Sequence, residues 1–231
     1  MQVKYSEQFK VHYRPGTSDE KCLKEIFVNR AYSRKFAPIC PGEVWLDIGA
    51  NIGLFVAYAS NLGAIVKAYE PDPANLELLA LNTPNDGQND VFPYALDIQE
   101  GELSFYSGEN TGNYWRGSLY HKIRGAKKIQ VQVKNIEEEL KKHKPTGVKL
   151  DCEGSEIGIL SSVNFAKYGV KKIIAEWSFD INPYVQVLFD AIAFLESQGY
   201  EVKDTRNVKK SCKGDKWEWN PPQTFLMAVL K

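Results

Sequence analysis

An α/β fold, built on a doubly wound, mostly parallel sheet that closes in a C-terminal antiparallel hairpin, is what this sequence predicts. Three observations lead there. Short apolar runs of strand length alternate with helix-length runs between residues 43 and 198, the pattern of a parallel sheet with crossover helices. Val44-Trp45-Leu46-Asp47-Ile48-Gly49-Ala50-Asn51-Ile52-Gly53 reads as a strand entering a glycine turn. Glu201–Thr205 and Thr224–Leu230 are two strand-like runs with no helix between them, so they should pair antiparallel.

Residues 1–40 are polar and aromatic, with a helix-like run that opens at Ser18-Asp19-Glu20 and continues through Leu23, Ile26 and Phe27. They read as a helical prefix or lid, leaving 41–231 as one domain, since 231 residues suffice for one well-buried α/β unit and are short for two. Strands are expected at Glu43–Ile48 and Ala64–Tyr69, with helices at Leu54–Leu62 and Ala74–Asn82. A third strand falls at Val91–Ala95. Leu103–Tyr106 and Ile129–Val133 bracket a Gly-, Asn-, Ser- and Tyr-rich stretch from Ser107 to Gly125, which reads as a hairpin-like insertion with a long binding loop. A charged helix over Asn135–His143, a fourth strand over Gly147–Cys152, an amphipathic stretch over Ile157–Tyr168, a fifth strand over Lys172–Trp177 and a helix over Val185–Gln198 complete the alternation. Asn220-Pro221-Pro222-Gln223 reads as a turn, because paired prolines cannot continue a ladder.

The first turn indicates the kind of ligand. Gly49 and Gly53 bracket it, and Glu70 follows Gly49 by 21 residues at the end of the next strand, where a carboxylate accepts hydrogen bonds from both ribose hydroxyls. The dinucleotide fingerprint G-x-G-x-x-G is absent. Asp47 beside the turn would repel a diphosphate and suits a cation, such as the ammonium or sulfonium of S-adenosylmethionine.

A second acidic string, Lys149-Leu150-Asp151-Cys152-Glu153-Gly154-Ser155-Glu156, lies at the fourth strand. Period-two geometry places Lys149, Asp151 and Glu153 on one side near the carboxyl end, where open α/β sheets bind ligands. Glu176 ends the fifth strand nearby. The alternative is an ion-pair network that merely satisfies itself at the sheet edge.

Composition narrows the partners. Lys+Arg and Asp+Glu both number 29, so no net field draws the chain to nucleic acid or to an acidic membrane. The short basic clusters, including Lys141-Lys142-His143-Lys144, read as solvated. Cys22, Cys40, Cys152 and Cys212 have no metal-site spacing, no secretion segment opens the chain, and no apolar run nears the roughly 18 residues of a membrane span. The expectation is a cytoplasmic protein that binds neither nucleic acid nor membrane.

Leu46–Gly53, Tyr69-Glu70-Pro71, Ala95-Leu96 and Lys149–Glu156 together resemble the FkbM-type S-adenosylmethionine-dependent methyltransferases over about residues 43–178. The Lys-x-Asp-x-Glu-Gly-x-Glu string is the more specific part. The resemblance implies a class I methyltransferase (Rossmann-like) fold, S-adenosylmethionine as cofactor, and O-methylation of a sugar, glycan or glycosylated metabolite. It places Asp47, Gly49, Ala50, Asn51 and Gly53 around the methionine part, Glu70 on the ribose, Asp72 near the adenosine, and Ala95 and Asp97 near the adenine. Residues 1–40 and the Ser107–Gly125 loop match no family motif and would select the acceptor.

An alcohol is a poor nucleophile at neutral pH and needs a proton acceptor. Asp151 is the leading candidate, with Glu153 and Glu176 as alternatives and Lys149 beside them. His121 and His12 are further candidates, His121 because it follows the aromatic loop Tyr114–Tyr120 that could stack on a sugar. No metal is expected; if a divalent ion bound, Asp151, Glu153 and Glu176 would hold it. Remaining alternatives are methyl transfer to another small molecule or to nucleic acid, and a non-catalytic module that only binds the cofactor.

Overall fold

The computed structural model describes residues 2–33, 35–108, 117–120, 122, 125–179, 184–204 and 223–231. Its centre is a seven-stranded sheet. In chain order the strands are β3 (Val44–Ile48), β4 (Ile65–Tyr69), β5 (Asp90–Phe92), β9 (Gly147–Leu150), β10 (Lys172–Ser178), β11 (Tyr200–Asp204) and β12 (Gln223–Leu230), and across the sheet they run β11-β12-β10-β9-β3-β4-β5. All neighbours are parallel except β12, which pairs antiparallel with both β10 and β11. From β3 the chain builds outward to β4 and β5, then returns to place β9 on the other side of β3. That reversal leaves a crevice at the carboxyl ends of β3 and β9, where doubly wound sheets bind ligands.

Helices cover both faces. α2 (Leu54–Asn61) and α3 (Pro73–Asn82) pack with the N-terminal extension on one apolar core around Trp45, Phe55 and Val66. α4 (Ile136–His143), α5 (Ser155–Ser162) and α6 (Val185–Ser197) pack on a second around Leu150, Phe165 and Trp177. Local chemistry sets the ends: Asp72 accepts from Ala74 N at 3.0 Å with Pro73 in the first turn of α3, and Asn135 accepts from Glu137 N at 2.9 Å at the start of α4.

Four of the expected elements need correction. The single third strand is two, because Pro93 lacks the N–H to continue a ladder: β5 stays in the main sheet and β6 (Ala95–Asp97) joins β8 (Lys127–Asn135) and β7 (Gly101–Ser107) in a separate three-stranded sheet. The fourth strand stops at Leu150, so Asp151 and Glu153 stand in a turn and not on one strand face, and Glu153 has left-handed backbone at φ +51°. The stretch 157–168 is α5 followed by a separate 3₁₀ turn, Ala166–Tyr168. Gln223 begins β12 rather than ending a turn, while Asn220, Pro221 and Pro222 lie outside the described residues.

The N-terminal extension holds more than a helix. A hairpin, β1 (Lys4–Ser6) and β2 (Val11–Tyr13), precedes α1 (Asp19–Leu23), which runs on as π-helix over Lys24–Val28. Buried Arg14 anchors it, binding Asp19 Oδ2 and Oδ1 at 2.8 and 3.0 Å and Asn75 Oδ1 at 2.8 Å. Asn82 joins His12 N (2.6 Å) and His12 O (2.9 Å) to Ile52 O (2.7 Å). The extension is thereby tied to α3 and to the first turn.

His143 is also not a solvated residue. Its Nε2 lies 3.1 Å from Glu139 and its ring 5.5 Å from that of Phe92. Glu139 also accepts from Tyr69 Oη at 2.8 Å.

Candidate active site

The turn after β3 is shaped by close packing. Gly49 has φ +80°, and a Cβ there would run into the carbonyl of Asp151, only 2.8 Å from its carbon. At Gly53, φ +83°, a Cβ would meet Leu79 Cδ1 at 2.8 Å. The two glycines therefore let the turn sit against β9 and α3, and Gly53 lines no cavity described below. Between them Asn51 takes left-handed backbone at φ +52°, which Asn tolerates better than most residues.

Glu70 closes the end of β4. Its Oε2 accepts from Asn51 N and its Oε1 from Asp72 N, each at 2.8 Å. Burial pushes this carboxyl up to about 7, against those backbone hydrogen bonds. The side chain of Asn75, which lines the same cavity, adds a third hydrogen bond to the carboxylate, and its four lone-pair sites leave room for a further donor.

Beside Glu70 lies a cavity of about 470 Å³ lined by Gly49, Asn51, Glu70, Ala95, Leu96 and Phe105, and closed by Gly117, Leu119, Asp151 and Cys152. One wall is acidic and hydrogen-bonding, the other an apolar slot. A ribose against Glu70 with a purine in the slot fits that distribution. The roof is held from both sides: Ser118 pairs with Tyr106 through backbone bonds of 2.8 and 3.2 Å and its hydroxyl donates to Glu153 O, while Tyr120 Oη donates to Asp97 Oδ2 at 3.0 Å.

A second cavity, about 540 Å³, adjoins the first at Asn51 and Asp151. Cys22, Glu25, Ile26 and Tyr32 of the extension form one side, Ala50, Ile52, Leu54 and Phe55 another, and Lys149, Asp151 and Glu176 the sheet edge. Lys149 Nζ stands 2.9 Å from Asp47 Oδ1, 2.8 Å from Gly49 O and 3.7 Å from Asp151 Oδ2. Burial opposes its charge, and Asp47 and Asp151 outweigh that, holding the ammonium above its ordinary value. Burial pushes the Glu176 carboxyl well up, with the charges of Asp151, Glu25 and Glu153 adding.

The sequence candidates are thus unevenly placed. Gly49, Asn51, Glu70, Ala95 and Asp151 line the first cavity; Ala50, Asn51, Lys149, Asp151 and Glu176 line the second. Asp47 is fully buried beneath the turn and lines neither, its charge met by Lys149 in the ion-pair network that was the alternative reading of this string. Asp72 is occupied as the cap of α3, and Asp97 accepts from Ile98 N (2.7 Å) and Tyr120 without reaching the cavity wall. Glu153 lines neither cavity, and His12 lies on β2 with its ring 4.9 Å from that of Tyr5. His121 lies outside the described residues. Among the described residues no three His, Cys, Asp or Glu side chains form a metal-holding group, and no helix is long and apolar enough to cross a membrane.

Tyr32 and Phe105 were not singled out in the sequence: each is an ordinary aromatic residue in a segment without a motif, and only tertiary packing brings it to the site. Leu119 belongs to the loop expected to meet the acceptor, and it lines the cavity beside Glu70.

The strand order and the crevice at its reversal are those of the class I methyltransferase fold. The methyltransferase FkbM domain family matches residues 47–202, and the chain belongs to that family. It is an enzyme, and S-adenosylmethionine is its methyl donor. The chain is 28% identical to methyltransferase sdnD of Sordaria araneosa, over 90% of this chain and 88% of that one. It is also 28% identical to the hexuronic acid methyltransferase AglP of Haloferax volcanii, over 61% of this chain and 58% of that one. Among solved structures, the fibrillarin pre-rRNA processing protein of Methanococcus jannaschii superposes with a TM-score of 0.50 at 11% identity, over 99% of this chain and 82% of that one, a likeness of fold alone.

Proposed function

We propose that this enzyme transfers the methyl group of S-adenosylmethionine to a hydroxyl of a sugar, glycan or glycosylated metabolite. In this reading the adenosine occupies the first cavity, with Glu70 on the ribose and Ala95, Leu96, Phe105 and Leu119 around the base, and the acceptor enters the second. The observation that carries it is the position of Asp151, which lines both cavities where they meet.

Methyl transfer is an in-line displacement. The acceptor oxygen forms a bond to the methyl carbon as the carbon–sulfur bond breaks, and the sulfonium leaves as a neutral thioether. Holding the two reactants in line lowers the barrier by several kcal/mol. The acceptor's proton goes to Asp151. At the sheet edge Asp47 and Asp151 face one cation, Lys149, so an excess negative charge favours a cationic donor. A sugar acceptor is supported by the likeness to a hexuronic acid methyltransferase.

Incubation with methyl-labelled donor and a panel of deoxy-, N-acetyl- and uronic-acid sugars, read by mass spectrometry, tests the reading. Label on a sugar hydroxyl is expected. Label found only on nitrogen, or only on nucleic acid in a salt-sensitive reaction, would overturn it.

A further inference from the structure

The N-terminal extension meets the sheet edge at one polar atom. Tyr32 Oη lies 2.8 Å from Asp151 Oδ2 and 3.3 Å from Glu176 Oε2. Its ring stands edge-on to Phe55 at 5.8 Å and to Phe225 at 5.3 Å, with the Lys149 ammonium 5.5 Å from its centroid. The residue is 3% exposed. Rings on two sides and a cation over the face leave the hydroxyl little freedom to turn away.

A phenol carries one proton to donate. It can serve one of these carboxyls, not both. If both were ionised, the second would face the phenol oxygen across 3.3 Å with no proton between them, and a buried polar contact of that kind is unfavourable. The shorter contact marks Asp151 as the acceptor of the phenolic proton. The longer one is then bonding only when Glu176 holds a proton and donates it to the phenol oxygen.

We propose that Tyr32 is a positioning residue for methyl transfer: it donates to Asp151 Oδ2, accepts from a protonated Glu176, and so fixes the carboxylate that receives the acceptor's proton. The proposal rests on Asp151 being the base. Two protons are shared among three groups, Glu176–OH to Tyr32–OH to the Asp151 carboxylate, and Asp151 Oδ1 remains for the acceptor. The other ionisable groups around Glu176 agree. Burial first, then Asp151 and Glu153 in the turn after β9 and Glu25 on the extension, disfavour a charge on it, and the opposing charge of Lys149 is the smaller effect. Cys22, from α1, is held neutral by its own burial, with Asp151 and Glu25 adding. The extension is in this view part of the catalytic apparatus and not a passive cover.

Infrared spectroscopy of the full chain with bound S-adenosylhomocysteine, with and without glutamate carrying a carboxyl ¹³C label, tests the bridge. At about pH 8.5, where ordinary carboxyls and those with values near 7 such as Glu70 and Glu156 are ionised, a protonated-carboxyl band is expected. It should move with the label and vanish in Glu176→Gln. In Tyr32→Phe, which keeps the ring and its packing, the band should rise in frequency because the carboxylic proton has lost its acceptor, with thermal melting showing that the variant still folds. If that variant fails to fold, Asp151→Asn replaces it, and the band must again shift because the far end of the chain has changed. Absence of a labelled band, a band that survives Glu176→Gln, or one unmoved in the folded variant overturns the proposal. None of these measurements reads turnover. A fully active Asp151→Asn enzyme would remove the base and leave the bridge standing; an inactive one without the labelled band would do the reverse.

Discussion

The two cavities meet at Asn51 and Asp151 but are built in opposite ways. The first is walled by the carboxyl ends of β3 and β4, by β6, and by the roof segment at Gly117 and Leu119; its key carboxylate, Glu70, is locked by two backbone N–H groups. The second is walled on one side by the extension and on another by the charged edge of β9 and β10. A site for an invariant donor can be made by short-range backbone geometry. A site for a particular acceptor needs a surface that varies independently, and under the proposed function a segment from outside the sheet supplies it.

Substitutions can separate the two. The largest effect is expected at the shared residue: Asp151→Asn should lower turnover by about 10²- to 10⁴-fold, the usual contribution of a general base, while calorimetry with S-adenosylhomocysteine shows donor affinity retained. Loss of both would mean that Asp151 serves the donor instead. Glu70→Ala should act on the donor side alone, weakening S-adenosylhomocysteine by roughly 1.5–3 kcal/mol for lost charged hydrogen bonds, with little change in acceptor KM. An unaltered dissociation constant would remove the ribose from Glu70.

Proton linkage sharpens the same side. Burial raises Glu70 to about 7, and ribose hydroxyls donate to the ionised form. Donor binding should therefore favour ionisation, release up to about one proton between pH 6 and 7, and tighten as pH rises through that range. Calorimetry in buffers of different ionisation heat would read it; uptake of a proton would contradict the assignment. The sign for stability is opposite. A carboxyl whose folded value is raised stabilises the fold below its unfolded value of 4.5, and that contribution is lost as pH rises towards about 7, for Glu70 and Glu156 alike. Melting of the donor-free protein should fall across that window.

The smallest effect is expected at the roof. Leu119→Ala should weaken S-adenosylhomocysteine by about 1 kcal/mol for lost apolar contact and leave acceptor KM unchanged. A change in acceptor KM alone would move the roof to the acceptor side.

Much of the first cavity is legible in the sequence because its determinants are local. Gly49, Asn51 and Glu70 belong to a strand–turn–helix–strand unit whose spacing fixes where they stand. The second acidic string shows the limit of that logic. Strand periodicity puts Lys149, Asp151 and Glu153 on one face, but β9 ends at Leu150 and left-handed backbone at Glu153 turns that residue away from both cavities. Nor could spacing tell that Lys149 is committed to Asp47, which requires the register of β3 beside β9.

Residue types and their spacing suffice for the alternation of strands and helices, the antiparallel close of the sheet, the glycine turn after β3 and the family string around Asp151. Each depends on neighbours in the chain, whose geometry the residue types dictate. That Pro93 splits off a second sheet, that the glycines make room for Asp151 and Leu79, and that Tyr32 stands between two carboxyls is set when the chain folds. Those depend on groups up to 144 positions apart, which side-chain packing brings together and no local spacing records.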